Sequence, residues 1–124
     1  MSEKKSVLLV EDDGLIRGFL VNALKDRYNV FEMSDAESAL DVIESKKVDL
    51  IVLDVLLPGE SGFSMLRKIK KHDSRYKDIP VIIISNFDDD KDIKEGIKLG
   101  AVEFLVKANN TPAEIAEKIE RILQ

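Results

Sequence analysis

The chain contains no cysteine, so it can form neither a disulfide bond nor a thiolate metal site. It also lacks any uncharged apolar stretch close to the roughly 18 residues that a membrane-spanning helix needs. The apolar segment before Glu11 covers only five positions, which is too short for the core of a signal peptide. These absences predict a soluble cytoplasmic protein with no membrane partner.

The sequence also has fewer basic than acidic residues. The sequence has 19 lysines and arginines against 24 aspartates and glutamates, which gives a formal net charge of -5. Binding to nucleic-acid phosphates needs a basic surface, so this balance argues against direct nucleic-acid binding. With 124 residues, of which 44% are hydrophobic, the chain is long enough for one buried core. We therefore expect a single domain over residues 1–124.

Apolar runs alternate with helical periodicities along the sequence, and no internal repeat or linker interrupts them. This alternation favours an α/β fold, a doubly wound parallel sheet with helices on both faces. Three runs are apolar throughout, as expected of central strands. The predicted strands are Val7–Val10, Tyr28–Met33, Leu50–Leu53, Val81–Ile84 and Phe104–Val106, and the predicted helices are Leu15–Lys25, Asp35–Ser45, Phe63–Lys71, Asp89–Leu99 and Pro112–Leu123.

Several helix ends are marked by their residue types. The segments Ser34–Glu37 and Thr111–Glu114 both match a capping box, in which two side chains satisfy free backbone donors of the first turn. Gly100 stands where a helix would stop in a left-handed conformation. Asp13 is interpreted as a helix-start residue that complements the helix dipole.

Polar residues follow four of the five predicted strands. In a parallel sheet the carboxyl ends of the strands meet at one edge, where open α/β folds place their chemistry. Three acids, a hydroxyl and an amine would gather there, a set suited to a divalent metal and a phosphoryl group. These residues are Glu11 and Asp12 after the first strand, Asp54 after the third, Ser85 after the fourth and Lys107 after the fifth.

In this order and at these intervals, the five residues resemble the site of receiver domains in two-component response regulators. The resemblance extends from about Ser6 to Leu123, and the segments Leu57–Gly62 and Leu99–Phe104 support it. It implies a flavodoxin-like sheet of five strands in the order 2-1-3-4-5. The type it suggests is the single-domain regulator of chemotaxis or sporulation.

The resemblance implies that Asp54 is the nucleophile that accepts a phosphoryl group from a phosphohistidine. Three carboxylates in one cleft repel each other, and a hard dication with oxygen ligands would resolve that repulsion. The implied ligands of this Mg²⁺, which Mn²⁺ could replace, are Asp12, Glu11 directly or through water, Asp54 and the backbone carbonyl of Leu56.

The remaining site residues would bind the phosphoryl group and transmit its arrival. Lys107 would pair with Asp54 and then with the acyl phosphate, and the Ser85 hydroxyl would donate to a phosphoryl oxygen. Phe104 matches the switch-aromatic position of the family. The output surface would consist of the helix Asp89–Leu99, the strand Phe104–Val106 and the final helix.

The partners implied are a sensor histidine kinase or a histidine phosphotransfer protein upstream, and a target protein downstream. The target could also be an output domain of the same polypeptide, if this chain is excised from a longer protein. Phosphorylation could also drive dimerisation. The chain would assist its own phosphorylation and dephosphorylation, so we do not expect an enzyme with an external metabolic substrate.

The sequence departs from the family pattern at the residue after Lys107. Receivers usually have proline there, often with a cis bond, whereas this chain has Ala108. A non-proline cis bond costs about 2.5–4 kcal/mol, so the loop is either trans and re-routed or strained. The stretch Ala108–Asn110 also looks one residue longer than usual.

Three alternative functions remain open at this point. A phosphatase with an aspartate nucleophile often carries a second acid two residues on, and Leu56 at that position argues against it. A flavin mononucleotide binder needs a glycine- and hydroxyl-rich loop, whereas the acids of Glu11–Asp13 would repel phosphate. A degenerate receiver could act as a constitutive scaffold, but Asp54, Asp12 and Lys107 are all present.

Overall fold

Strands and helices alternate along residues 4–124, the part of the chain that the computed structural model describes. The strands are Ser6–Val10 (β1), Asn29–Met33 (β2), Leu50–Asp54 (β3), Val81–Ser85 (β4) and Glu103–Val106 (β5). The α-helices are Gly14–Leu24 (α1), Ala36–Ser45 (α2), Gly62–Ile69 (α3), Asp90–Lys98 (α4) and Pro112–Leu123 (α5), and a 3-10 turn, Lys107–Asn109, lies between β5 and α5.

The sheet is parallel throughout and has the order β2-β1-β3-β4-β5. This confirms the predicted flavodoxin-like topology. Strands β1, β3 and β4 lie inside the sheet, where both faces are covered, and this explains why their sequences are apolar without alternation. The edge strands β2 and β5 are partly exposed, as expected from their mixed or short sequences.

Two apolar layers sandwich the sheet, because successive side chains of a strand point to opposite faces. On one face, strand residues such as Leu8, Ile51 and Ile83 pack with the buried faces of α2 and α3. On the other face, the alternate strand residues pack against α1 and α5. Leu20 of α1 and Ile115 of α5 are among the helix residues buried there. The helices therefore hold the central strands rigidly and leave their carboxyl ends free for a site.

The capping residues follow the predictions with one exception, although several helix bounds differ by one or two residues. Asp13 caps α1, and Thr111 forms the predicted capping box with Glu114 at the start of α5. The capping box predicted at Ser34 is wrong, because Asp35 is the cap of α2 and its carboxylate accepts the Ser38 N–H over 2.7 Å. The helix therefore begins one residue later than that motif required.

The ends of the described chain lie at the edge of the sheet opposite Asp54. Strand β1 starts there, and α5 returns to it from the carboxyl edge. The Lys5 ammonium donates to the Leu123 carbonyl over 2.6 Å, which ties the two ends together. Every helix within residues 4–124 is too short or too polar to span a membrane.

Candidate functional site at the carboxyl edge of the sheet

Asp54 is the last residue of β3 and pairs with Ile84 of β4. It is deeply buried, with 5% of its surface exposed. Gly62, the first residue of α3, packs so closely against Asp54 that an added Cβ would overlap the Asp54 carbonyl. The Gly62 N–H also donates to the Val55 carbonyl over 2.8 Å. Because only glycine permits this approach, the start of α3 fixes the backbone around Asp54.

Lys107 joins two buried carboxylates. Its Nζ lies 2.6 Å from Glu11 Oε1 and 3.1 Å from Asp54 Oδ2, where it donates a hydrogen bond. The side chain of Lys107 is 10% exposed, and those of the two acids are buried further. Buried charges need partners of opposite sign, and here one ammonium serves two carboxylates. The group is therefore short of positive charge when both acids are ionised.

The acid–base properties of the group reflect this shortage. Burial, together with the contact and charge of Glu11, raises the pKa of Asp54 to about 7, although Lys107 acts in the opposite direction. Burial lowers the pKa of Lys107, but its contacts with Glu11 and Asp54 outweigh burial, so this pKa lies above its ordinary value. A further cation next to these carboxylates would be electrostatically favourable.

The β1–α1 loop, which carries both predicted acids of the first strand, is held by Arg17 of α1. The Arg17 Nη1 donates to the Glu11 carbonyl over 2.8 Å and to the Asp12 carbonyl over 3.4 Å. Its Nε donates to Glu32 on β2 over 3.2 Å. The two acids have different settings, because Glu11 is fully buried whereas Asp12 is exposed.

Glu11 carries the feature that best fits a hard cation. Within residues 4–124, no donor meets its Oε1 with hydrogen-bond geometry, although the Lys107 ammonium is close enough for an ion pair. A buried carboxylate oxygen of this kind beside a second buried carboxylate suits oxygen-coordinated Mg²⁺. Glu11 and Asp54 therefore supply two buried carboxylates of the kind that the predicted metal prefers.

The three predicted acidic ligands are not gathered into one cluster, however. Among the described residues, no group of three or more aspartate, glutamate or histidine side chains is placed to hold a metal ion. Lys107 contacts Glu11 and Asp54, while Asp12 stays exposed. The expectation of a tight three-carboxylate pocket is corrected on this point: the Lys107 ammonium partly neutralises the two buried acids, and Asp12 lies exposed outside that pair.

The residues after Asp54 turn the chain away from the sheet. The Leu56 N–H donates to Asp54 Oδ1 over 3.3 Å, so this carboxylate is bound at both oxygens. Leu56 is 57% exposed, and its side chain brings no polar group to this edge. The role of its carbonyl as a metal ligand stays a prediction.

Ser85 ends β4 and is almost completely buried. Its Oγ accepts the Phe87 N–H over 2.9 Å, which makes it a turn-forming residue in this structure. A hydroxyl that accepts a hydrogen bond still has its own hydrogen to donate. Its predicted role as a donor to a phosphoryl oxygen therefore stays open.

Phe104, the predicted switch aromatic, pairs with Ile83 of β4 and packs on the sheet face that carries α2 and α3. A Cβ added at Gly96 of α4 would lie 2.8 Å from Cδ2 of the Phe104 ring and 3.0 Å from Cδ1 of Ile83. The ring thus fits against α4 because residue 96 has no side chain.

The peptide bond between Lys107 and Ala108 is trans, which is the first of the two alternatives predicted for this loop. No cis peptide bond occurs among the described residues, and Lys107–Asn109 forms a 3-10 turn. The Asn110 side chain closes this segment by donating from Nδ2 to the Val106 carbonyl over 2.9 Å. Ala108 is exposed in this turn.

Sequence reasoning missed four contributors to the site. They are the Glu11–Lys107 pair, the Arg17 bonds to the loop carbonyls, the close approach of Gly62 and the Asn110 bond. Only Gly62 carried a recognisable signal, as a glycine at the end of a turn and the start of a helix. The Glu11–Lys107 pair depends on side-chain reach across the sheet edge, and the Arg17 and Asn110 bonds depend on the path of the loops next to them.

Comparison with known proteins identifies the family. A family model described as the response regulator receiver domain matches residues 7–120. The chain belongs to this family. The receiver domain is 35% identical over 124 residues to the transcriptional regulatory protein YvrH of Bacillus subtilis, a match covering 98% of this chain and 50% of that protein. Against AfsQ1 of Streptomyces coelicolor it is 37% identical over 103 residues, covering 82% and 44%.

The receiver domain thus spans about half the length of these curated relatives. Among solved structures, it superposes on the chemotaxis response regulator CheY4 of Vibrio cholerae with a TM-score of 0.87 and 27% identity, covering 98% of this chain and 100% of that one. It matches the BeF3-activated DrrB receiver domain with a TM-score of 0.86 and 26% identity, covering 98% of each chain.

Proposed function

We propose that this receiver domain accepts a phosphoryl group on Asp54. The donor is a phosphohistidine of a sensor histidine kinase or a histidine phosphotransfer protein. An Asp54 oxygen attacks the phosphorus, the bond from phosphorus to the histidine nitrogen breaks, and an acyl phosphate forms on the carboxylate. The supporting observation is the buried contact of Asp54 with Lys107, 3.1 Å long, at the carboxyl edge of the sheet.

Lys107 neutralises the nucleophile before transfer and the product after it. Its ammonium, already within hydrogen-bond distance of Asp54, is placed to contact a phosphoryl oxygen on that side chain. Such a preorganised charge favours the transition state because it needs no rearrangement at the moment of transfer.

Glu11, Asp12, Asp54 and the Leu56 carbonyl would hold Mg²⁺, with Mn²⁺ as a substitute. When bound, the metal would supply positive charge that offsets the carboxylates and the phosphoryl oxygens. The raised pKa of Asp54 gives this charge a second effect, because a neighbouring cation favours the ionised form that is nucleophilic.

Ser85 and Phe104 would convert phosphorylation into a change of surface. The Ser85 hydroxyl, which now only accepts from Phe87, would donate to a phosphoryl oxygen and draw the β4–α4 loop inward. Phe104, packed between Ile83 and α4, would follow into the vacated space. The phosphoryl group shifts the population toward this state by its extra contacts there.

The surface that changes consists of α4, β5 and α5, and it would control binding to a downstream protein or to an output domain of the same polypeptide. Dimerisation on phosphorylation is one form that the response could take. The domain works in the cytoplasm as a signalling module and turns over no external metabolite.

The test is incubation with acetyl phosphate, with and without Mg²⁺, followed by intact mass measurement. We expect one added phosphoryl group that requires Mg²⁺ and is lost in Asp54→Asn. The matched control is Asp26→Asn, which changes an exposed acid beyond the far end of α1. Label retained in Asp54→Asn would move the acceptor elsewhere, with Ser85 as the first residue to examine.

A further inference from the structure

Lys107 serves Asp54 only if its long side chain is kept in one conformation. Lysine has a flexible stem with much rotamer freedom, so its reach depends on where its backbone is held. The strand before it, β5, lies at the edge of the sheet and pairs only with β4. A small cavity of ≈ 150 Å³ lies beside Lys107, lined by apolar residues such as Ile84 and Ile115. The stem therefore has space beside it on this side.

The backbone hydrogen bond that closes the Lys107–Asn109 turn is long. The Asn110 N–H lies 3.5 Å from the Lys107 carbonyl, at the limit of a hydrogen bond. No side chain caps the start of this turn, and Ala108 lacks the ring with which proline would fix its backbone. The bond from Asn110 Nδ2 to the Val106 carbonyl is much shorter, at 2.9 Å.

The residue that makes this bond is itself anchored. Asn110 immediately precedes Thr111, whose hydroxyl accepts the Glu114 N–H over 3.1 Å while Glu114 accepts the Thr111 N–H over 3.0 Å. The capping box fixes the first turn of α5. The Asn110 amide thus ties the last strand residue before Lys107 to a rigid helix start, and it spans the whole turn.

We propose that Asn110 is the positioning residue of Lys107. By fixing the Val106 carbonyl to the start of α5, it holds the Lys107 backbone where the ammonium reaches both Glu11 and Asp54. The side-chain hydrogen bond of Asn110 in the described chain goes to the Val106 carbonyl and not to the Glu11 or Asp54 carboxylate, so its effect on the site would pass through Lys107. This inference rests on the proposed function of Asp54.

The test compares Asn110→Ala and Asn110→Asp with the neighbouring control Asn109→Ala. Aspartate keeps the shape of asparagine but has no N–H to donate when ionised, so it isolates the hydrogen bond. Asn109 is exposed, and no side-chain hydrogen bond from it appears in the described chain. The readout is the affinity for beryllofluoride with Mg²⁺, a phosphoryl mimic, measured by NMR titration. We expect a loss of about three- to tenfold in both Asn110 variants, the size of one hydrogen bond, and none in Asn109→Ala.

A double-mutant cycle separates positioning from a general structural role. In a Lys107→Ala background the Asn110→Ala change should have no further effect on beryllofluoride affinity, because the residue through which it acts is gone. An equal loss in both backgrounds, or unchanged affinity in the Asn110 single variants, would overturn the inference. If Lys107→Ala weakens binding while Asn110→Ala does not, the proposed function stands and only this inference fails. Absence of beryllofluoride binding in the unmodified chain would instead count against the proposed function.

Discussion

The ring of Phe104 occupies the space that a side chain on Gly96 would fill, since an added Cβ would lie 2.8 Å from the ring. Glycine inside a helix is about 1 kcal/mol less favourable than alanine, so α4 gives up helix stability at this position. Gly18 of α1 provides the contrast, because nothing lies within 4 Å of its added Cβ. The same substitution should therefore have opposite effects at the two sites.

We expect Gly18→Ala to stabilise the domain by about 0.5–1 kcal/mol through helix propensity. Gly96→Ala should destabilise it by about 1–3 kcal/mol, because the added methyl group forces Phe104 or Ile83 to move. Urea unfolding measures both free energies. Stabilisation by both substitutions would show that the Phe104 ring moves without cost. A Gly96→Ala, Phe104→Leu double variant should recover part of the loss.

The raised pKa of Asp54 predicts a pH dependence of stability in the absence of divalent metal. In the folded state the pKa of this carboxyl is about 7, whereas its ordinary pKa is 3.8. Between these two pH values the folded state binds more protons than the unfolded state. The contribution of Asp54 to the free energy of unfolding therefore falls as pH rises from about 4 to about 7. Asp54→Asn should abolish this loss.

The measurement is thermal unfolding in EDTA at several pH values. The Asp54→Asn variant should unfold at a higher temperature than the unmodified chain at pH 8, and the difference should shrink toward pH 4.5. Parallel curves for the two proteins across this range would contradict the buried setting of Asp54.

Magnesium should stabilise the fold by binding the acids of the site. A ligand at 100 times its dissociation constant stabilises the folded state by about 2.7 kcal/mol. We expect the rise in unfolding temperature with Mg²⁺ to be reduced in Asp12→Asn and Glu11→Gln. Asp26→Asn removes the same charge at a distant site and should leave the rise unchanged. If Asp12→Asn behaves like Asp26→Asn, Asp12 is not a ligand.

The Leu56 side chain should slow hydrolysis of the acyl phosphate, because it is apolar and cannot orient an attacking water. Leu56→Asn should shorten the half-life on the order of tenfold, well below the 10²–10⁴ of full general base catalysis. Leu56→Met keeps an apolar side chain of similar size and should leave the half-life unchanged. Decay of the phosphorylated mass over time provides the measurement. Equal half-lives for Leu56→Asn and the unmodified chain would disprove the role.

The fold was predictable because each central strand is a continuous run of apolar residues. Such a run is typical of a strand that is buried on both faces of a parallel sheet. The strand ends were harder to place, since backbone pairing continues under a polar side chain. Asp54 and Ser85 proved to be the last residues of their strands, paired with Ile84 and Val106. A capping residue was likewise misplaced by one at Ser34, because Asp35 is equally able to cap.

The sequence predicted which residues lie at the site but not which of their side chains contact each other. Parallel topology brings Glu11, Asp54 and Lys107 to one edge whatever their side chains do. Which acid is buried, and which carboxylate Lys107 meets at 2.6 Å, depends on side-chain directions across strands that are not neighbours in sequence. Neither hydrophobic periodicity nor spacing carries that information, so the exposed position of Asp12 was not foreseen.

Helix α5 begins next to the turn that follows Lys107 and ends at Leu123, where the Lys5 ammonium binds its carbonyl. Its 12 residues give this helix a length of about 18 Å. A fluorophore or a surface tether joined near Lys5 or Leu123 would therefore sit on the far side of the molecule from Asp54. Immobilised samples should keep their carboxylates open to small phosphodonors and to docking kinases alike.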